Sequence, residues 1–239
     1  MPQLSYEQTQ AEQFPALERI DEMLRKRRLQ LGLKRVFDLL FSMIGLVVTL
    51  PVLLIISILI KATSKGPVFF RQIRVGQHGY YFKIYKFRTM IVDAEKKGMQ
   101  ITVGKDHRIT KCGHFLRKTK LDELPQLINV LTGDMSFVGP RPEVPKYVEL
   151  YSRDQRGILK VKPGITDYAS IEYFDENKLL GESDDPEETY VKVIMVNKLQ
   201  LNIKYLKRVS VIEDIMLIFR TLKRIVIKHN RINASQRIT

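Results

Sequence analysis

Cysteine and histidine are scarce in this 239-residue chain, and their scarcity removes whole classes of chemistry. The single cysteine, Cys112, excludes an internal disulfide and fits a reducing compartment. Four scattered histidines (His78, His107, His114, His229) and that one thiol cannot supply a zinc site of the usual ligand spacing. No serine–histidine pair stands out as a nucleophile with its base, and no segment repeats. Negative charge is short as well: 40 Lys and Arg face 26 Asp and Glu, a formal net charge of +14. With 44% hydrophobic and 28% charged residues the composition is otherwise globular, and the length suits one sizeable domain or at most two small ones.

The excess charge is not uniform. Residues 34–90 carry 9 basic and 1 acidic side chains, residues 200–239 carry 9 and 2, and the stretches 1–33 and 91–199 are near balance. Inside the first basic block, Leu39 to Ile60 reads LLFSMIGLVVTLPVLLIISILI, 22 residues without a charge. As a helix it would be about 33 Å long, the thickness of a bilayer's hydrocarbon core. It lies too far from the N-terminus, behind too many charges, for a secretory signal, and it lacks the polar face of an ordinary core helix. Pro51 sits just past its centre, where it removes one backbone hydrogen bond. Lys34 and Arg35 precede the segment and Lys61, Lys65, Arg71 and Arg74 follow it, so neither flank is depleted in positive charge as a spanning helix requires. Composition therefore favours a helix that dips into one leaflet and returns, with spanning as the alternative. Arg35 and Asp38, three residues apart where the segment begins, are placed to pair on one helix face.

Elsewhere the pattern predicts an amphipathic helix over 15–33, with Leu17, Ile20, Leu24 and Leu31 near one stripe. The first dozen residues read as loose. A β-hairpin is expected over 67–90, turning at Gly76-Gln77-His78-Gly79. A helix is expected from about Leu121 to a stop at Gly133, an acid-rich loop or short helix over 172–189, and a basic amphipathic helix over 211–228. In the last of these Ile215, Ile218, Phe219, Leu222 and Ile225 form the inward face and Arg220, Lys223, Arg224 and Lys228 the outward one. That composition fits an anionic membrane surface, or equally a helix packed on a core.

Three short motifs could carry chemistry. Asp122 and Glu123 follow Arg117, Lys118 and Lys120, cations that would lower carboxylate pKa values and attract an anionic substrate. The structural alternative makes Asp122 a helix N-cap with Pro125 at the third helical position. An ionised Asp beside a metal-binding acid is what phosphoryl transfer through an aspartyl phosphate needs. Gly139-Pro140-Arg141-Pro142 holds Arg141 on a stiff loop suited to a phosphate, although such a motif also occurs in plain turns. Lys86-Phe87-Arg88-Thr89 ends the predicted hairpin and reads otherwise as a charged strand end.

In this order, and joined by Lys34-Arg35-x-x-Asp38, the Pro51 break, Leu121-Asp122-Glu123-Leu124-Pro125-Gln126, the run Gly133 to Pro142 and Pro163-Gly164-Ile165-Thr166, these residues resemble the bacterial sugar transferases, the monotopic phosphoglycosyl transferases. The match covers about Lys34 to Lys228. The resemblance implies a re-entrant membrane helix hinged at Pro51 and residence on the cytoplasmic face of the bacterial inner membrane. It also implies transfer of a sugar-1-phosphate from a UDP-sugar to undecaprenyl (polyprenyl) phosphate with release of UMP, assisted by Mg2+. Carried over, Asp122 is the nucleophile and Glu123 supports the metal or a proton. Arg117, Arg141, Arg88 and Lys86 are the candidate phosphate binders, and Asp122 and Glu123 the candidate Mg2+ ligands. Leu50 stands where a small polar residue often precedes the hinge proline. Asp167-Tyr168-Ala169-Ser170 replaces the common Gly-Trp-Ala-Gln, a departure that bears on which sugar is preferred.

The expected fold is mostly helical α+β. An N-terminal extension (1–33) leads to a re-entrant helix (34–65), a catalytic domain (66–200) and amphipathic membrane-surface helices with a tail (201–239). Lacking the extra spans of larger relatives, it is expected to be the compact catalytic form. Two other readings are a non-catalytic membrane adaptor, for which Asp122 would be dispensable, and a nucleic-acid binder. The second has a sequence pI near 9.8 in its favour, but no zinc-finger, helix-turn-helix or RNP-like signature, and the charge surrounds apolar segments, so anionic lipids are the expected partner. Sequence does not specify the oligomeric state or the sugar.

Overall fold

The computed structural model describes residues 14–94, 101–104 and 106–235, with side chains of the last helix through 227. The first dozen residues and the tail beyond Ser235 lie outside the described residues, as does the side chain of Lys228. The fold is mostly helical α+β, with two small sheets and one long apolar helix near the N-terminus.

Helix α1 (Leu17–Lys26) buries Ile20 and Leu24 in the main core, and its first N–H bonds the Asp154 carboxylate at 3.2 Å. The single helix expected over 15–33 is broken at Arg27, whose guanidinium donates to the carbonyls of Lys207 (2.8 Å) and Val209 (3.2 Å). From there α2 (Arg28–Thr63) runs 36 residues with Pro51 inside it. It is long and apolar enough to cross a membrane, and only 11% of its most apolar window is buried. Val47, Val48, Ile55 and Ile58 are among its exposed side chains. Thr49 Oγ1 donates to Gly45 O at 2.6 Å, so Thr49 supplies the polar contact near the proline that Leu50 cannot.

Both ends of α2 are fastened to the same body. At the start, Arg35 donates to the carbonyls of Val130 (2.7 Å) and Leu131 (3.2 Å), satisfying the C-terminus of a neighbouring helix. Asp38 accepts from Ser136 Oγ (3.0 Å) and Phe137 N (3.1 Å). The expected Arg35–Asp38 pair does not form, because each side chain satisfies buried groups of a different element. Lys34, also buried, pairs with Asp214, which Tyr205 Oη bonds at 2.8 Å. At the far end, Ile56 and Ile60 pack with Phe87 and Leu116.

The hairpin forms as expected: β1 (Phe69–Val75) pairs antiparallel with β2 (Tyr81–Phe87), Phe69 opposite Phe87 and Val75 opposite Tyr81. His78 (φ 56°) and Gly79 (φ 82°) make its turn left-handed. Helix α3 (Lys111–Thr119) is capped by Thr110, whose hydroxyl accepts from Gly113 N at 2.9 Å. Helix α4 (Gln126–Thr132) stops at Gly133, where φ is 95°. Asn129 of α4 lies along the free edge of β2, accepting from Tyr85 N and donating to Lys83 O, both at 2.9 Å. No sequence pattern announced the parallel pair β3 (Ser136–Val138) and β4 (Gly164–Thr166). Gly139 and Gly164 lie so close that a Cβ on Gly164 would strike the Gly139 backbone and one on Gly139 would strike the Lys162 carbonyl. The crossover between them carries α5 (Pro145–Val148).

Three short helices follow, α6 (Tyr168–Glu172), α7 (Glu176–Gly181) and α8 (Pro186–Thr189), then a π-helical turn and α9 (Met195–Leu206). α9 supplies Leu199, Ile203, Tyr205 and Leu206 to the main core. The last helix, α10 (Val211–Ser235), follows the expected orientation only in part: Ile218 packs on the main core and Arg220, Lys223 and Arg224 are exposed. It turns Glu213, Asp214 and Leu217 inward and leaves Ile212, Phe219, Leu222 and Val226 exposed. The acidic pair has partners in Tyr168 and Lys34, and this turns Ile215, Phe219 and Leu222 of the expected inward face out to the surface.

Candidate active site

The chain reverses sharply between α3 and α4. Lys120 ends α3 in the left-handed region (φ 59°), and Leu121–Glu123 form one 3₁₀ turn before Leu124 and Pro125. The helix expected from Leu121 therefore begins five residues later. Asp122 is not its N-cap; Pro125 occupies that position, where a missing N–H costs nothing. This turn sets Asp122 and Glu123 side by side in a cavity of about 1370 Å³, together with Lys86, Arg117, Lys120 and Arg141.

Glu123 Oε1 is shared by two cations, Lys86 Nζ at 2.8 Å and Arg141 Nη2 at 2.5 Å. Burial opposes its charge most, but Arg141, Lys86 and Lys120 together outweigh burial and hold the carboxyl well below its usual range. Asp122 contrasts with it: 7% exposed, with Oδ1 buried and unpartnered. Burial, then the neighbouring Glu123 charge, push its pKa up against the pull of Lys86, Lys120 and Arg117. The dyad thus divides into a carboxylate committed to Lys86 and Arg141 and a second with an unpartnered oxygen, charged groups of Lys86, Lys120 and Arg117 lying near it. Lys86 is pushed down to about 8 by burial, with Glu123 the chief group supporting its charge. The Arg141 guanidinium is raised, chiefly by Glu123.

The supporting contacts explain why these side chains converge. Arg117 donates from Nε to Thr89 Oγ1 (2.9 Å) and from Nη1 to Thr102 Oγ1 (3.2 Å), and has no carboxylate partner in direct contact among the described residues. Lys86 is delivered by β2, which Asn129 ties to the helix following the dyad. The Arg141 loop is held on one side by Arg74, which donates to Pro142 O at 3.1 Å, and on the other by Asp167, which accepts from Arg141 N at 3.3 Å. Asp167 and Arg74 act as supports that motif reading missed. Asp167 lay in a segment singled out only as a departure, and Arg74 only as a flanking charge. Arg88 is a correction: although it lines the cavity, its guanidinium donates to the carbonyls of Lys65 and, at 3.0 Å, Ser64. Those carbonyls belong to the two residues that follow α2, so both terminal nitrogens of Arg88 are committed to the chain and only Nε lacks a partner.

Two carboxylates meet here, and no group of three or more His, Cys, Asp or Glu that could hold a metal occurs among the described residues. That donor set does not make an all-protein metal cage. It fits Mg2+ held by one or two carboxylates and completed by substrate phosphates, with the unpartnered Asp122 Oδ1 as an available ligand.

Residues 29–228 match the bacterial sugar transferase family, and the chain belongs to it. Relatives include the UDP-glucose:undecaprenyl-phosphate glucose-1-phosphate transferase of Escherichia coli K12, 42% identical over 193 residues that make up 80% of this chain and 39% of that protein. The UDP-N-acetylgalactosamine-undecaprenyl-phosphate N-acetylgalactosaminephosphotransferase of Aeromonas hydrophila is 36% identical over 81% of this chain and 44% of its own length. The exopolysaccharide production protein PSS of Rhizobium leguminosarum is 35% identical over 81% of this chain and 95% of its own. The chain spans about two-fifths of the length of the first two of these.

Proposed function

We propose that this protein transfers a sugar-1-phosphate from a UDP-sugar to undecaprenyl phosphate, opening the membrane stage of glycoconjugate assembly. The observation that carries this reading is the buried, unpartnered Asp122 Oδ1, set among Lys86, Lys120 and Arg117 in a cavity large enough for a nucleotide sugar. In the first step an Asp122 oxygen bonds to the β-phosphorus, the bond from that phosphorus to the bridging oxygen breaks, and UMP leaves. In the second, an oxygen of the lipid phosphate bonds to the same phosphorus and the Asp122 carboxylate is released. Arg141, Lys86 and Arg117 hold the diphosphate charge, with Glu123 keeping the first two cations in register before substrate arrives. Asp122 and Glu123 are the residues that would hold Mg2+, which would supply neutralisation of the charge on the departing phosphate.

One leaflet is the site of action in this reading. Arg35 and Asp38 at one end of α2, and Ile60 and Ser64 at the other, contact the same domain, which supports a helix that enters and leaves on one face with Pro51 as its hinge. Basic flanks on both sides favour the cytoplasmic face, and the exposed stripe of α10 suits the headgroup layer. Asp122→Asn is the test. It should abolish UMP release from UDP-sugars in the presence of polyprenyl phosphate while membrane association persists; substantial residual turnover refutes the nucleophile.

A further inference from the structure

Buried polar atoms are nearly always bonded, so those left without partners mark places where a ligand or water completes the bonding. Among the described residues, the uncharged side chains in that condition are Gln126, Ser170 and Asn202. Ser170 and Asn202 line the cavity that holds Asp122, whereas Gln126 does not. Asn202, on α9, is 4% exposed with Oδ1 unpartnered, and Ser170, on α6, has Oγ unpartnered. α6 packs directly on α9, so both residues belong to one wall.

That wall is indexed to the phosphate-binding loop by one carboxylate. Asp167, fully buried, accepts from Ser170 N at 2.6 Å through Oδ1 and from Arg141 N at 3.3 Å through Oδ2. Two hydrogen bonds and the width of a carboxylate keep those two backbone nitrogens within about 8 Å of each other. In a nucleotide sugar the group bonded directly to the β-phosphate is the hexose, while the base lies beyond a second phosphate and a ribose. Two uncharged, hydrogen-bonding side chains on the wall tied to Arg141 therefore suit the hexose.

Resting on the transferase reading above, we propose that Ser170 and Asn202 are specificity-determining residues that read polar substituents of the donor hexose. Asn202 Oδ1 accepts from a sugar hydroxyl or an acetamido N–H, and the Ser170 hydroxyl bonds a neighbouring substituent. A site that hydrogen-bonds a substituent penalises donors that lack it, because its own groups are then left unpaired.

The test measures kcat/KM for UMP release by the full chain, with polyprenyl phosphate in detergent, over UDP-glucose, UDP-galactose, UDP-GlcNAc and UDP-GalNAc. Ser170→Ala and Asn202→Leu are compared with the parent, and inhibition by UMP is measured for each. The ratio between the best and the poorest donor should shrink about ten- to hundred-fold, as expected for one or two hydrogen bonds. UMP inhibition should stay unchanged, and the hydroxyl or acetamido pattern of the losses identifies the group read. An equal fall for every donor, unchanged ratios, or a weakening of UMP inhibition that matches the loss for donors overturns the proposal, the last by assigning the wall to the nucleoside. If Asn202→Leu does not fold, the ratios for the milder Ser170→Ala decide. Absence of turnover by the parent with every donor sinks the transferase reading itself, whereas unchanged ratios with robust turnover sink this proposal alone.

Discussion

Replacing Glu123 by Gln removes the charge on which two cations converge, with little change of shape. At an effective dielectric of 20, a unit charge at the 2.8 Å of Lys86 is attracted by about 6 kcal/mol and another at the 2.5 Å of Arg141 by about 7 kcal/mol. Most of that offsets the desolvation of a carboxylate whose side chain is only 11% exposed. Two circumstances soften the loss. The Arg141 side chain is 34% open to the cavity, so water screens it. Lys86 can shed its proton, because its pKa of about 8 is supported chiefly by Glu123 and falls further without it. The net destabilisation expected at pH 7 is about 2–4 kcal/mol, a drop in Tm of about 5–15 °C for a domain of this size.

The pH dependence carries the sharper test. For a lysine with a depressed pKa, the penalty of holding the charge is fully present below the folded value and is relieved as pH rises from it toward the unfolded 10.5. In the parent that relief begins near pH 8; in Glu123→Gln it begins lower. The stability gap between the two proteins should therefore narrow between pH 7 and pH 9 in thermal unfolding followed in one detergent. A gap that is absent at pH 7, or that widens at pH 9, would refute the account of the Glu123 bridge.

Other outcomes follow from the same geometry. Lys86→Met should raise KM for the UDP-sugar and remove a rise in parent KM expected as pH climbs through about 8, where Lys86 loses its proton; a parent KM flat from pH 7 to 9 counts against a phosphate role. Lys34→Met leaves Asp214 buried beside Tyr205 without its cation and should cost about 3–5 kcal/mol, read as a fall in Tm. Arg88→Met should loosen the end of α2 and the two residues that follow it, giving faster amide exchange at 61–66 with donor KM changed less than twofold; a large KM effect would restore Arg88 to the phosphate site. Phe219→Glu places a charge on the exposed stripe of α10 and should weaken binding to anionic vesicles about tenfold while leaving Tm unchanged.

The sequence was most informative where one local rule dominates. Alternating aromatic and β-branched residues around a glycine turn mark the hairpin, and an uncharged run of 22 residues marks α2. Asp122, Glu123, Lys86, Arg117 and Arg141 were readable as motifs, and the fold gathers them in one cavity. Long-range satisfaction of buried polar groups was not readable. Arg35 and Asp38 look like a helical pair at spacing three, yet each answers orphan backbone groups about a hundred residues away. Arg88 stands in a cationic motif but serves the carbonyls of the two residues that follow α2. The β3–β4 pair has only three residues per strand, too few for periodicity to register, and its requirement lies in two glycines that meet only after folding. On α10 hydrophobicity alone places Ile215, Phe219 and Leu222 inside with Ile218, whereas the buried Glu213 and Asp214 leave only Ile218 of these on the core.

Fastening both ends of α2 to one body has a kinetic corollary. On the transferase reading proposed above, a protein moored in this way would keep Asp122 at constant height over the lipid sheet, so meeting the isoprenoid acceptor would become a lateral search over an area. Turnover should then track the mole fraction of acceptor in the surface, falling when inert lipid or detergent dilutes it at constant bulk concentration.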